Sequence, residues 1–233
     1  MKRIQIVAAV LLLAALALAS ATAGATGQRV IIIGHRGDSA HAPENTLASF
    51  RKAAEGGADY LELDCQLTKD NQVVISHDGD LERTAGVKRA IADLTLAKIQ
   101  ALEVGGWFAP EFKGEKMPTF AQALETATDH CGVYVEIKAQ RGDGAASRAL
   151  VQHAQGQGHL TDSLRAEIVQ LANDAETSSV ALTRACIAEI RAHKMEKRVV
   201  IQSFSPLICF VALQEAPEIR TELLISDDKD DPA

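Results

Sequence analysis

From residue 30 onward the chain alternates short, β-branched apolar runs with stretches of helical periodicity. The runs at 30–34, 60–66, 72–77, 133–138, 199–204 and 222–226 are predicted strands. Helices are predicted over 45–55, 119–129, 147–156, 163–194 (with a break) and 206–215. This alternation is the pattern of an α/β fold, with helices covering a parallel sheet. Two strands sharpen the picture. In 60–66, Leu61, Leu63 and Cys65 share one face, while Tyr60, Glu62, Asp64 and Gln66 share the other. In 133–138, Val133, Val135 and Ile137 oppose Tyr134, Glu136 and Lys138. A parallel sheet covered on both sides reads apolar on both faces. A charged face near the strand C-termini therefore points to a (β/α)8, TIM-type barrel whose polar face lines the lumen mouth. An exposed antiparallel sheet is the competing explanation, and the long helical stretches weigh against it. Only residues 67–71 separate the second and third strands, too few for a parallel crossover. Either a hairpin or an extended return segment is expected there.

The first 25 residues have a different pattern. Lys2 and Arg3 precede an apolar run at 4–19, and small-x-small triplets follow up to Ala25. This reads as a secretory signal peptide. The run falls short of the ~20 residues a span needs. A periplasmic or secreted protein without stable membrane insertion is expected, with its domain over 28–226 and an acidic tail at 227–233. The composition, 47% hydrophobic and 24% charged, is that of a globular chain. The net charge of −7 becomes two units more negative once Lys2 and Arg3 are set aside, which argues against nucleic-acid binding as the main activity. An anionic ligand stays open, because a local site can oppose the global sign. Cys65, Cys131, Cys186 and Cys209 are scattered, with no CxxC. Buried free thiols are expected, although an oxidising compartment would permit disulfides.

The polar residues of interest fall at strand ends. Glu62, Asp64 and Glu136 would bring three carboxylates into one lumen, where unpaired anions repel and lose solvation. A divalent cation removes that cost, and an all-oxygen donor set suits Ca²⁺ or Mg²⁺. An ion network with Arg36 and Lys138 is the alternative. Three carboxylates, one divalent ion and those two basic residues leave one positive charge, which matches a phosphodiester. Arg36 can grip two phosphate oxygens, and Lys138 can act as a point charge on a developing oxyanion. His35 and His77 can exchange protons near neutral pH, or serve as structural or ligating imidazoles. Asp78 either orients an imidazole or marks a turn. Asn45 reads as a helix cap rather than a ligand. Trp107, Phe108 and Phe204 suit either the mouth or the core.

Taken together the chain resembles the glycerophosphodiester phosphodiesterase family. The resemblance is carried by Gly34-His-Arg-Gly37, Ala42-Pro-Glu-Asn-Thr46, Gly57-Ala-Asp-Tyr-Leu-Glu-Leu-Asp64, Val73-Val-Ile-Ser-His-Asp78 and Leu81-Glu-Arg-Thr84. It continues through Gly106-Trp-Phe-Ala-Pro-Glu-Phe112, Val135-Glu-Ile-Lys138 and Gln202-Ser-Phe204. It implies a distorted barrel, a divalent cation on Glu62, Asp64 and Glu136, and phosphate contacts from Arg36 and Lys138. It also implies hydrolysis of glycerophosphodiesters to sn-glycerol 3-phosphate and an alcohol. The family pattern extends past Ile225 with two further strands. The chain is therefore expected to form an incomplete barrel of about six strands, weakly active unless a partner completes it. A truncated remnant that binds metal or phosphodiester without turnover is the alternative.

Overall fold

A computed structural model describes residues 29–127, 129–140 and 178–225, with scattered positions between 144 and 170. The segments expected at 1–25 and 227–233, and much of the helix expected over 147–156, lie outside the described residues. Every element named below lies within Ile32–Ala233.

Five strands form a parallel arc: β1 (Ile33–Gly34), β2 (Tyr60–Leu67), β6 (Gly132–Ile137), β7 (Val199–Ser203) and β8 (Arg220–Leu223), in that spatial order. The sixth, β3 (Val73–Ile75), pairs antiparallel with β2. Residues 67–71 thus close a hairpin, which settles the direction of the third strand. Strand β6 pairs with β2 from Tyr60 to Cys65, so β1 and β3 must share the opposite edge. β1 pairs at Tyr60 and Leu61; β3 takes over at Cys65. Among the described residues β1 and β8 each pair on one side only, so the sheet is an open arc.

The pleat sorts the residues as expected. Leu61, Leu63 and Cys65, with Val133, Val135, Ile137, Val199 and Ile201, are buried in the main core against the helices. Helix α1 (Leu47–Glu55) contributes Phe50 and Ala53 to it, and the long helix over Ser178–Ala192 contributes Leu182, Cys186, Ile187 and Ile190. The helix over Pro206–Glu215 has the predicted bounds. All four cysteines are free and buried, as expected.

Several boundaries differ. β1 is two residues long, where a run over 30–34 was expected. β8 ends at Leu223, earlier than the expected 226. The helix expected over 119–129 is confined to Phe120–Leu124, capped by a Thr119–Gln122 box. Asn45 is not the cap of α1. Thr46 holds that place, in a capping box with Ser49.

A hairpin was not foreseen. β4 (Asp80–Leu81) and β5 (Val87–Ala90) flank a one-turn helix, α2 (Glu82–Ala85). Leu81, Ile91, Leu94, Ile99, Val104 and Met117 bury one another with Val74 in a second small core. The 80–118 excursion thus packs on its own apolar centre beside the barrel arc.

Candidate active site

Parallel register fixes the centre of the site. Asp64 pairs with Glu136, and Glu136 pairs with Gln202. Partners in register point to the same face, opposite the main core. Glu62 lies two residues before Asp64 on that face. One ligand oxygen from each of Glu62, Asp64 and Glu136 lies within 4.8 Å of the other two. All three side chains are buried, Asp64 at 1% exposure.

The basic residues arrive from adjoining elements. Lys138 follows β6, and its Nζ lies 2.8 Å from Asp64 Oδ1 and also bonds Glu136 Oε1. Arg36 sits in the turn after β1 with φ of 54°. Its backbone N–H donates to Glu62 Oε2 at 2.8 Å, and its Nε lies 3.5 Å from Asp64 Oδ2. That turn depends on Gly37. Its φ is +80°, and a Cβ there would lie 2.6 Å from the Ser49 backbone carbon. Only glycine lets the turn press onto α1 and deliver the Arg36 N–H to Glu62.

Although Lys138 and Arg36 both approach the acids, Glu62 does not titrate in the ordinary carboxylate range. Instead, burial and then the Asp64 charge push it up to about 7, against the Arg36 N–H bond that lowers it. Burial works against the Lys138 charge too, but Asp64 and Glu136 outweigh it and raise its pKa. Lys138 thus pairs with Asp64 and Glu136, while Glu62 is held by the Arg36 N–H and by Gln202. A buried, all-oxygen, acid-rich trio of this kind fits a hard divalent cation.

The histidines stand at the rim. His35 Nε2 is 4.0 Å from Glu62 Oε2, with a side chain 69% exposed. His77 Nδ1 is 2.9 Å from Asp78 Oδ1, so Asp78 does contact an imidazole. A cleft of about 990 Å³ opens beside the acids, lined by His77, Glu136, Lys138, Gln66, Gln140 and Phe204. The 80–90 hairpin forms its other wall. Trp107 is half-exposed beneath the Arg83 guanidinium, 5.7 Å from its ring centre.

Four residues with direct contacts to this network are not among the site residues expected from the sequence, and one of them, Asn45, is expected there only as a helix cap. Asn45, at φ 57°, donates from Nδ2 to Asp64 Oδ2 at 2.7 Å. Gln202 donates to Glu62 Oε1 at 3.3 Å. Glu44 accepts from Arg36 Nη1 at 3.0 Å and from Arg83 at 2.7 and 2.9 Å. Arg83 Nε also donates to Asp78 Oδ2 at 2.7 Å. All four stand within the motifs quoted above, which was the one signal available.

Residues 35–233 match the model of the Glycerophosphoryl diester phosphodiesterase family. The chain belongs to that family. A glycerophosphodiester phosphodiesterase of Caldanaerobacter subterraneus is 43% identical over 111 residues, covering 47% of this chain and 46% of that protein. One from Bacillus subtilis is 36% identical over 118 residues, covering 47% and 40%. The match thus spans less than half the length of these relatives. Among solved structures, a phosphodiesterase of Oleispira antarctica in complex with the product sn-glycerol 3-phosphate superposes with a TM-score of 0.64 at 25% identity. It covers 84% of this chain and 66% of that one. The glycerophosphodiester phosphodiesterase of Agrobacterium tumefaciens gives a TM-score of 0.60 at 27% identity, covering 83% and 66%. These family neighbours have TIM-barrel folds, and the six-stranded, mostly parallel sheet with its helices is an incomplete barrel of that kind.

Proposed function

We propose that the protein hydrolyses glycerophosphodiesters to sn-glycerol 3-phosphate and an alcohol with the help of a divalent cation, Ca²⁺ or Mg²⁺. The observation that carries this reading is the convergence of Glu62, Asp64 and Glu136 within 4.8 Å, beside two basic side chains and a cleft. Those three carboxylates would hold the ion, which when bound supplies Lewis-acid polarisation of a phosphoryl oxygen. Arg36 and Lys138 add fixed positive charge where the phosphodiester anion sits. Hydrolysis breaks the P–O ester bond to the leaving alcohol and, overall, forms a P–O bond to the oxygen of water. One group must take the proton of the attacking hydroxyl, and one must return a proton to the leaving alkoxide. His35 and His77 fill these two roles. Asp78 accepts the Nδ1 proton of His77, which leaves Nε2 to exchange the proton.

The test is turnover of glycerophosphocholine by the full chain beside His35→Ala and Glu62→Ala. Loss of a general acid or base lowers kcat by a factor on the order of 10²–10⁴. Turnover by the parent with both variants unimpaired would remove the assigned roles. The open arc of the sheet favours a second reading, a protein that binds phosphodiester or metal without turnover. Saturable binding of sn-glycerol 3-phosphate with no hydrolysis would select it. Residues 1–25 are read as an export signal, and the N-terminal sequence of exported protein checks this: a start near residue 26 agrees, and intact Met1 does not.

A further inference from the structure

Arg83 lies in α2, on the excursion rather than on the barrel arc, and all three of its guanidinium nitrogens are engaged. Nη1 and Nη2 reach Glu44 at 2.9 and 2.7 Å, across 39 residues of sequence. Nε reaches Asp78 at 2.7 Å. Each acceptor has a second partner in the site. Glu44 Oε1 also accepts from Arg36 Nη1 at 3.0 Å. Asp78 Oδ1 meets His77 Nδ1 at 2.9 Å. Burial alone would raise both carboxyls, yet hydrogen bonds from Arg83, with those from Arg36 and His77, hold both below their ordinary values. The excursion fixes Arg83 in turn: Leu81, two residues earlier, is fully buried in the second core.

We propose that Arg83 is a positioning residue that sets His77 and Arg36 together, through Asp78 and Glu44, and so makes the 80–118 excursion part of the catalytic machinery. This rests on the diesterase reading of the site. A carboxylate is acceptor-only, so the Asp78 contact requires the proton on His77 Nδ1 and, in the neutral imidazole, leaves Nε2 as the bare nitrogen. With Nε held by Arg83, Asp78 cannot rotate away, and one tautomer is locked. The bidentate bond likewise holds Glu44 in the plane that meets Arg36 Nη1. A lysine keeps the charge but has one nitrogen, and cannot serve both carboxylates with that geometry.

The lock is read directly by long-range ¹H–¹⁵N spectra of the histidine rings. There are seven, and the His77→Gln spectrum assigns the signal. In the parent chain His77 should show the Nδ1-protonated form alone. In Arg83→Met it should show a mixture of both tautomers, with Arg83→Lys between the two. In the same proteins kcat for glycerophosphocholine should fall about tenfold in Arg83→Met, the usual range for groups that orient active residues. Thermal melts show whether the fold survives; if Arg83→Met does not fold, Arg83→Lys carries the comparison. An unchanged His77 spectrum in a folded Arg83 variant overturns the proposal. Absence of turnover in the parent would instead defeat the diesterase reading, and the spectra would still decide the role of Arg83.

Discussion

Removing the divalent ion should destabilise this protein by an amount that grows with pH. Glu62 is 6% exposed, and burial beside Asp64 raises its carboxyl from 4.5 to about 7. In the unfolded chain the same group titrates near 4.5. Between those values the metal-free folded protein holds a proton that the unfolded chain has released. The associated stability is therefore complete below about 4.5 and is lost as the pH rises through 7. The gap corresponds to about 3 kcal/mol. For a body of this size, 1 kcal/mol moves Tm by about 2–4 °C, so this group alone contributes a fall on the order of 6–12 °C. A cation bound by the three carboxylates takes the place of the proton. Melting curves in EDTA and in excess Ca²⁺ or Mg²⁺, at pH 5 and pH 8, measure the effect. The metal-induced rise should be large at pH 8 and small at pH 5. Glu62→Gln should flatten the pH dependence of the metal-free protein. Equal metal shifts at both pH values, or an unchanged slope in Glu62→Gln, would refute the reasoning.

Other outcomes follow from single contacts. Gly37→Ala places a Cβ against Ser49 at positive φ and should cost at least about 2 kcal/mol in urea unfolding; a cost under half of that would show the turn can relax. Asn45→Ala strips a 2.7 Å hydrogen bond from the buried Asp64 carboxylate and should cost about 1.5–3 kcal/mol, with lower turnover. An unaltered melting curve would show that the bond is dispensable. The four free, buried cysteines should resist a thiol reagent in the native protein and react after denaturation. Burial also pushes Cys209 up to about 11, which slows it further. Rapid native labelling of Cys65 or Cys186 would contradict the packing.

Much of this was legible in the chain because strand alternation is strict. In 60–66 and 133–138 the period-two pattern separates core residues from carboxylates, and register between β2 and β6 brings those carboxylates together. The helix over Pro206–Glu215 was legible from a proline at its first turn and an apolar run. The β4–β5 hairpin was not: its strands are two and four residues long and rich in charge, so no period emerges. Asn45 was assigned to a cap because Asn favours that place, but its left-handed backbone turns the side chain toward Asp64 instead. Glu44 and Arg83 meet only after the excursion folds back on the β1–α1 loop, a contact no local pattern encodes. Gln202 is polar on a buried strand, and its partner is 140 residues away.

The most direct measurement is hydrolysis of glycerophosphocholine by the purified chain before chelation, after EDTA, and after Ca²⁺ or Mg²⁺ is restored. Release of sn-glycerol 3-phosphate should stop on chelation and return with the ion, and Glu136→Gln should not recover. Undiminished release in EDTA, or full recovery by Glu136→Gln, would contradict a cation held by Glu62, Asp64 and Glu136.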